Sequence, residues 1–341
     1  MSLMYANYFG LSEKPFAIAP NPRYLYMSEQ HREALAHLLY GINSEGCIVL
    51  LTGDVGTGKT TICRLLIEQL PESTDVAVVL NPKLSIIDLL KTLCTELKIP
   101  VEHPSPSVKT YVDRLNEFLL DAHAKGRNTA LIIDEAQNLD KEVLEQLRLL
   151  TNLETNTQKL LQIVLIGQPE LRDIIKSSGF AQINQRITTR YHLKPLKSDD
   201  VFFYIEHRLS IAGGAGASSL FSKRSIRFIA KFSQGIPRLV NLLCDHSLLG
   251  AYAGDKDHVD IAIVKKAACE LTSENTGAYI SPKRIVLAVG LLTLVLVLPA
   301  VIYLSFSTEN SFIQQFKTVI GRSVGTKPLT KEPLSVLTEN E

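Results

Sequence analysis

Eight consecutive residues, Gly53-Asp54-Val55-Gly56-Thr57-Gly58-Lys59-Thr60, restrict what this chain can fold into more than any other feature it carries. They fit G-x-x-x-x-G-K-[ST], and the flanks fit as well. An apolar run, Cys47–Thr52 (CIVLLT), leads in, and a helical pattern, TTICRLLIEQL, leads out. Glycines at this spacing let the backbone wrap with its N–H groups turned inward, and the following helix adds partial positive charge at its N-terminus. Such a loop cradles phosphates. Lys59 is placed to reach the β- and γ-phosphates of a nucleotide, and the Thr60 hydroxyl to ligate Mg²⁺. The nine positions from Gly53 to Thr61 are therefore the expected nucleotide contacts, with ATP and Mg²⁺ as the expected ligands.

The rest of the N-terminal two thirds repeats the strand–helix alternation. Apolar runs recur at Val76–Leu80, Ala130–Ile133, Leu161–Ile166 and Tyr191–Leu193. Helical segments at Thr60–Leu70, Ser85–Leu97, Val108–Ala124 and Lys141–Thr151 separate them. This pattern predicts an α/β fold over residues 1–196, a P-loop NTPase parallel sheet of about five strands with helices on both faces. Strand signals stop after Leu196. Four helical stretches near 198–212, 223–233, 237–251 and 258–271 predict a small α-helical lid domain over residues 197–275.

A second motif, Leu131-Ile132-Ile133-Asp134-Glu135, ends an apolar strand in two carboxylates. In that arrangement Asp134 holds the Mg²⁺ shell, and Glu135 orients and deprotonates the attacking water. One complete strand (76–80) intervenes in sequence between the two motif strands, the order of the additional-strand, catalytic-glutamate class of nucleotide hydrolases. No N-K-x-D guanine signature follows Asp134. Gln168, just after the run at 161–166, is expected beside the γ-phosphate, where its amide helps place water; the plainer reading is a polar strand end. Arg186 and Arg190, in INQRITTRYHL, are expected just before the last strand, where a guanidinium can reach a neighbouring subunit's nucleotide. An ordinary solvated helix face is the alternative, and the choice between the two arginines stays open.

From Ile285 through Leu304 twenty residues pass without a charge. A helix of that length spans ~30 Å, the hydrocarbon thickness of a bilayer, so a single transmembrane helix is expected there. Lys283 and Arg284 precede it, which places the N-terminal portion in the cytoplasm. Residues 276–284 read as a juxtamembrane linker and 305–341 as a short flexible periplasmic tail. The opening residues carry no basic segment followed by an apolar stretch, so no cleavable signal peptide is expected. The five cysteines show no C-x-x-C spacing and read as thiols in a reducing compartment. With 36 Lys plus Arg against 35 Asp plus Glu, the chain has no global attraction for nucleic acid. A local patch would have to come from Lys223, Arg224, Arg227 and Lys231 on one lid helix, a spacing equally suited to a solvated face.

Gly53–Thr60, Asp134–Glu135, Gln168, Gln185-Arg186…Arg190 and Gly235-Ile236-Pro237-Arg238 together resemble an AAA+ ATPase. The opening Tyr8-Phe9-Gly10-Leu11…Lys14-Pro15-Phe16, with Pro20-Asn21-Pro22-Arg23-Tyr24-Leu25-Tyr26, is similar more narrowly to the ExeA, or general secretion pathway protein A, family, which includes MSHA-pilus biogenesis proteins. That resemblance implies a single-pass ATPase of the bacterial inner membrane, forming a ring-like homo- or hetero-oligomer. It implies work with a bitopic inner-membrane partner on secretin or pilus assembly. It further implies that Arg238 is a sensor arginine on the γ-phosphate and that Pro20–Tyr26 borders the adenine. Secretion-type members carry a peptidoglycan-binding domain beyond the span, where this sequence has only 305–341; that favours the pilus branch, or an exopolysaccharide- or sorting-associated relative. Two other readings remain: a DNA-associated AAA+ ATPase resembling transposition target selectors, and a nucleotide-gated scaffold with little turnover.

Overall fold

Each apolar run becomes a strand of one sheet: β1 (Ile48–Gly53), β2 (Thr74–Val79), β3 (Asn128–Ile133), β4 (Gln162–Gly167) and β5 (Ile187–Leu193). The computed structural model describes residues 4–19, 21–43, 47–80, 83–101, 107–213 and 220–275. All strand pairings are parallel, and the spatial order is β2-β3-β4-β1-β5. Every residue of β1 and β4 is buried, as a parallel sheet covered on both faces requires.

Strand alternation splits the sheet's side chains between two cores. Ile48, Leu50, Leu131, Ile133, Ile163 and Leu165 face one side, against α4 (Ile86–Glu96), α5 (Val108–Ala124), α6 (Lys141–Leu150) and α7 (Pro169–Lys176). Val49, Leu51, Ala130, Ile132, Val164 and Ile166 face the other, against α2 (Glu29–Asn43) and α3 (Lys59–Gln69). Each such large aliphatic side chain is worth about 1.5–3 kcal/mol when fully buried, so the sheet is a stiff platform for whatever its strand ends carry.

Several elements differ from the pattern expected; α7 is one, a helix between β4 and β5 that the strand–helix count did not include. β5 begins at Ile187 rather than Tyr191, so Arg190 lies inside the last strand and not before it. Ile187 and Thr189 turn inward while Thr188 and Arg190 face solvent, and a half-polar edge strand of this kind shows no continuous apolar run. α2 is a full helix that the strand–helix count passed over; its buried residues Ala34, Leu35, Leu38 and Ile42 follow a helical spacing. α12 (Ile261–Asn275) starts three residues later than expected, because the Asp260 carboxylate accepts the Ala262 and Ile263 N–H groups at 2.9 and 3.0 Å and caps it there.

α9 (Ser198–Ile211), α10 (Lys223–Ser233), α11 (Pro237–Ala253) and α12 pack their own core around Val201, Ile205, Ile229, Val240 and Leu243. The N-terminal arm joins that core: Tyr5, Ala6, Leu11 and Phe16 pack with these helices. α1 (Met4–Tyr8) is tied to α11 by Tyr5 donating to Asp245. The remaining short helix, α8 (Ala181–Arg186), leads into β5. Among the described residues no helix is long and apolar enough to cross a membrane. The apolar stretch 285–304 lies outside the described residues, as do 276–284, 305–341 and Pro20.

Candidate active site

The sheet delivers three strands' C-terminal ends to one place. β1 runs into the loop Asp54–Gly58, from which α3 departs, β3 ends at Asp134–Glu135, and β4 ends at Gln168. Because β4 lies between β1 and β3, the carboxylate pair and the loop flank the end of β4. Gly58 takes φ +102, and an added Cβ would lie 3.2 Å from His31 Nε2, so both conformation and space call for glycine.

Lys59 is 6% exposed and folds back over the loop, its Nζ donating to the carbonyls of Gly53 at 2.8 Å and Asp54 at 3.0 Å. Burial pushes its pKa below the ordinary lysine value, and the nearby carboxylates of Glu135 and Asp134 oppose that shift. Thr60 Oγ1 donates to Asp134 Oδ2 at 2.7 Å, joining two motifs 74 residues apart. Asp134 Oδ1 accepts the Glu135 N–H at 2.9 Å. Glu135 itself sits in the left-handed region, φ 54, a conformation that costs a non-glycine residue free energy and marks a constrained position. Its Oε2 accepts from Gln137 Nε2 at 2.6 Å and from Gln168 Nε2 at 3.3 Å. The other end of the Gln137 amide accepts the Gln168 N–H at 3.0 Å.

A cavity of about 330 Å³ opens above these groups, bounded by Val55–Thr61 and Glu135 on the sheet side, by the arm residues Ala17–Ala19, Asn21 and Tyr24–Tyr26, and by Arg208, Pro237, Arg238 and Asn241 of the helical part. The residues fit a nucleotide triphosphate with its divalent cation. Packing against Leu193, Arg238 and His31 leaves no room for a Cβ at Gly53, Gly56 or Gly58, the Lys59 ammonium stands beside the loop, and a hydroxyl and a carboxylate already meet 2.7 Å apart.

The structure therefore brings together Gly53, Asp54, Val55, Gly56, Thr57, Gly58, Lys59, Thr60, Thr61, Asp134, Glu135, Gln168 and Arg238. Arg238 reaches the loop through its backbone, its N–H donating to Gly56 O at 3.2 Å, and its side chain lines the cavity. Arg186 and Arg190 do not line this cavity. Arg186, at the far end of the sheet before β5, donates to Thr151 Oγ1; Arg190, level with Leu50 of β1, donates to the Asn184 carbonyl at 2.7 Å and Oδ1 at 2.9 Å. Of the expected basic lid helix, Lys223, Arg224, Arg227 and Lys231 are all exposed along α10 and have no acidic partner among the described residues.

Three contributors escape a motif search. Gln137 lies two residues past the carboxylate pair and is recognisable only once Glu135 is seen bound to it. Arg208 is buried in α9 and holds the arm, donating to Pro15 O at 2.6 Å and Ala17 O at 3.1 Å, with its guanidinium 4.8 Å from the Tyr24 ring. His31, in the first turn of α2, lines the cavity from beneath the loop; the signal available in the sequence is Ser28 three residues before it, a helix-start pattern.

A sequence family described as an AAA domain matches residues 42–175. General secretion pathway protein A of Aeromonas hydrophila is 47% identical over 290 residues, covering 85% of this chain and 52% of that protein. The chain spans about half the length of the curated relatives it matches. Among solved structures, Cdc6p of Pyrobaculum aerophilum superposes with a TM-score of 0.57 at 19% identity, over 75% of this chain and 70% of that one. Drosophila ORC bound to DNA gives 0.56 at 17%, over 76% and 64%. At these identities the structural likeness is one of fold.

Proposed function

We propose, from the premise that this chain belongs to the AAA+ ATPase family of general secretion pathway protein A, that it binds ATP in the cavity above β1, β3 and β4 and hydrolyses it. The observation that carries this reading is the Thr60–Asp134 contact with Glu135 and Lys59 beside it, a hydrolytic set gathered on one strand-end platform. The loop N–H groups and Lys59 bind the phosphates. Thr60 and Asp134 would hold Mg²⁺, which supplies charge neutralisation and orients the triphosphate when bound. Glu135 takes the proton of the attacking water, and the Gln137 and Gln168 amides set the direction of its carboxylate. Arg238 senses the γ-phosphate from the lid. Arg186 or Arg190, both turned away from their own chain's cavity, serve a second copy's cavity in a head-to-tail ring.

The same premise carries the larger role: an ATPase anchored to the bacterial inner membrane by residues 285–304, its catalytic part cytoplasmic. There it drives assembly or remodelling of a secretin- or pilus-type envelope complex with a bitopic partner. The test is phosphate release by the purified chain with Mg²⁺ across concentrations that favour self-association. Glu135→Gln is expected to retain nucleotide and lose hydrolysis, and Lys59→Ala to lose both. Wild-type turnover in Glu135→Gln would remove Glu135 as the base. The exposed cations of α10, which have no acidic partner among the described residues, favour testing a second reading, DNA association: a salt-dependent duplex gel shift abolished by Arg227→Glu supports it, and no shift at low salt ends it.

A further inference from the structure

A phosphate loop creates a problem on its own far side. Turning the N–H groups inward turns the carbonyls outward, and in a buried setting each of those carbonyls needs a donor. The chain supplies them one by one. Gly53 O and Asp54 O take the Lys59 ammonium, and Asp54 O also takes the Thr57 hydroxyl at 2.8 Å. Gly56 O takes the Arg238 N–H, and Gly58 O takes the Ile62 N–H at 3.0 Å. For Thr57, whose residue is 1% exposed, the group within reach of the backbone is the imidazole of His31.

His31 is itself only 3% exposed and its ring is held at both ends. Ser28 Oγ lies 2.6 Å from Nδ1 and also accepts the His31 backbone N–H at 3.4 Å. Because the Thr57 backbone on the loop side takes its hydrogen bond from the ring, the ring proton is needed there, and the Ser28 hydroxyl gives its own proton to Nδ1. Nδ1 is then the acceptor and the ring proton sits on Nε2, the atom on the loop side, 3.2 Å from where a Gly58 Cβ would stand. Burial also lowers the pKa of His31, in keeping with a neutral ring.

We infer that Ser28 and His31 form a relay that sets the phosphate loop from beneath: Ser28 selects the Nε2–H tautomer, and the imidazole braces the Thr57–Gly58 peptide so that its N–H groups face the nucleotide. His31 is a positioning residue; it works through the loop and takes no part in bond breaking. The inference rests on the nucleotide-binding reading above, and its tests separate from it, because wild-type protein that fails to bind nucleotide refutes that reading alone.

The discriminating pair is His31→Leu, which fills the space without a donor, and His31→Gln, whose amide can still reach the loop. The readouts are the thermal midpoint of the nucleotide-free protein, affinity for a fluorescent ATP analogue with Mg²⁺, the KM and kcat of hydrolysis, and hydrogen exchange at the Gly56–Lys59 amides without nucleotide. His31→Leu is expected to lower the midpoint by a few degrees, since Thr57 and Ser28 lose a buried partner, and to weaken nucleotide binding about tenfold, raise KM more than it lowers kcat, and speed loop exchange. His31→Gln recovers most of the affinity, and Ser28→Ala loses part of it by freeing the tautomer. Wild-type affinity in His31→Leu, or equal loss in the Leu and Gln variants, overturns the relay. If His31→Leu does not fold, Ser28→Ala decides: unchanged affinity and loop exchange overturn it equally.

Discussion

Gly235→Ala should damage this protein far more than its chemistry suggests, and the structure says by how much. Gly235 sits in the turn between α10 and α11 at φ +75, and an ideal Cβ there would stand 2.0 Å from Leu196 O and 3.0 Å from Leu196 C. Both atoms are backbone, so no rotamer change relieves the collision. Leu196 also donates its N–H to Gly235 O at 2.9 Å, the bond that ties the β5–α9 connection to this turn. Gly126→Ala is the control: φ is +72 there and nothing lies within 4 Å of its Cβ, so only the left-handed conformation is penalised, by about 1–2 kcal/mol. Gly235→Ala adds an overpacking cost of about 1–3 kcal/mol and a lost hydrogen bond of about 0.5–1.5 kcal/mol. The excess over the control is therefore about 1.5–4.5 kcal/mol. At about 2–4 °C per kcal/mol for a body of this size, that is roughly 3–18 °C in the thermal midpoint. The turn also leads directly into Arg238, whose N–H reaches Gly56 O, so nucleotide affinity should fall with it. Differential scanning calorimetry on the two alanine variants, followed by nucleotide titration, makes the comparison. Equal midpoints for the two variants would refute the collision argument and leave only backbone strain.

Other perturbations read different parts of the molecule. Gln137→Leu removes the 2.6 Å anchor of Glu135, a hydrogen bond to a charged group worth about 1.5–3 kcal/mol, and should lower kcat at least tenfold with nucleotide affinity kept; a raised kcat would make Gln137 a brake instead. Arg208→Met frees the arm at Pro15 and Ala17 and should weaken nucleotide binding while leaving the hydrolytic step intact, read from KM against kcat. Asp260, capping α12, has its pKa held down to about 2 by the Lys256 side chain and by the Ile263 and Ala262 N–H groups. Its contribution is complete above the ordinary aspartate value and lost as pH falls toward 2, so the stability gap between wild type and Asp260→Asn should close over that window in acid unfolding curves.

How much of this was open to reading without coordinates depended on range. Gly53–Thr60 and Asp134–Glu135 announce themselves because each is a contiguous run whose neighbours in the chain also supply its local structure: a strand in, a helix or turn out. Apolar periodicity likewise foretold five strands and the four helices near the C-terminal end of the described chain. Arg190 was misplaced because an edge strand buries only alternate residues, and α2 was passed over because its role is to pack against β5 and β1 and not to alternate with strands.

Only tertiary structure decided the rest. That β4 lies between β1 and β3, that Gln137 and Gln168 converge on one oxygen of Glu135, and that His31 and Arg208 arrive from remote helices are consequences of where the strands align and what the arm packs on. Such contacts join residues separated by up to two hundred positions, and their free energy comes from burying shared surface, which no local pattern of residue types records. The composition of each segment sets what it can become; the order in which the segments pack determines which of their polar groups meet.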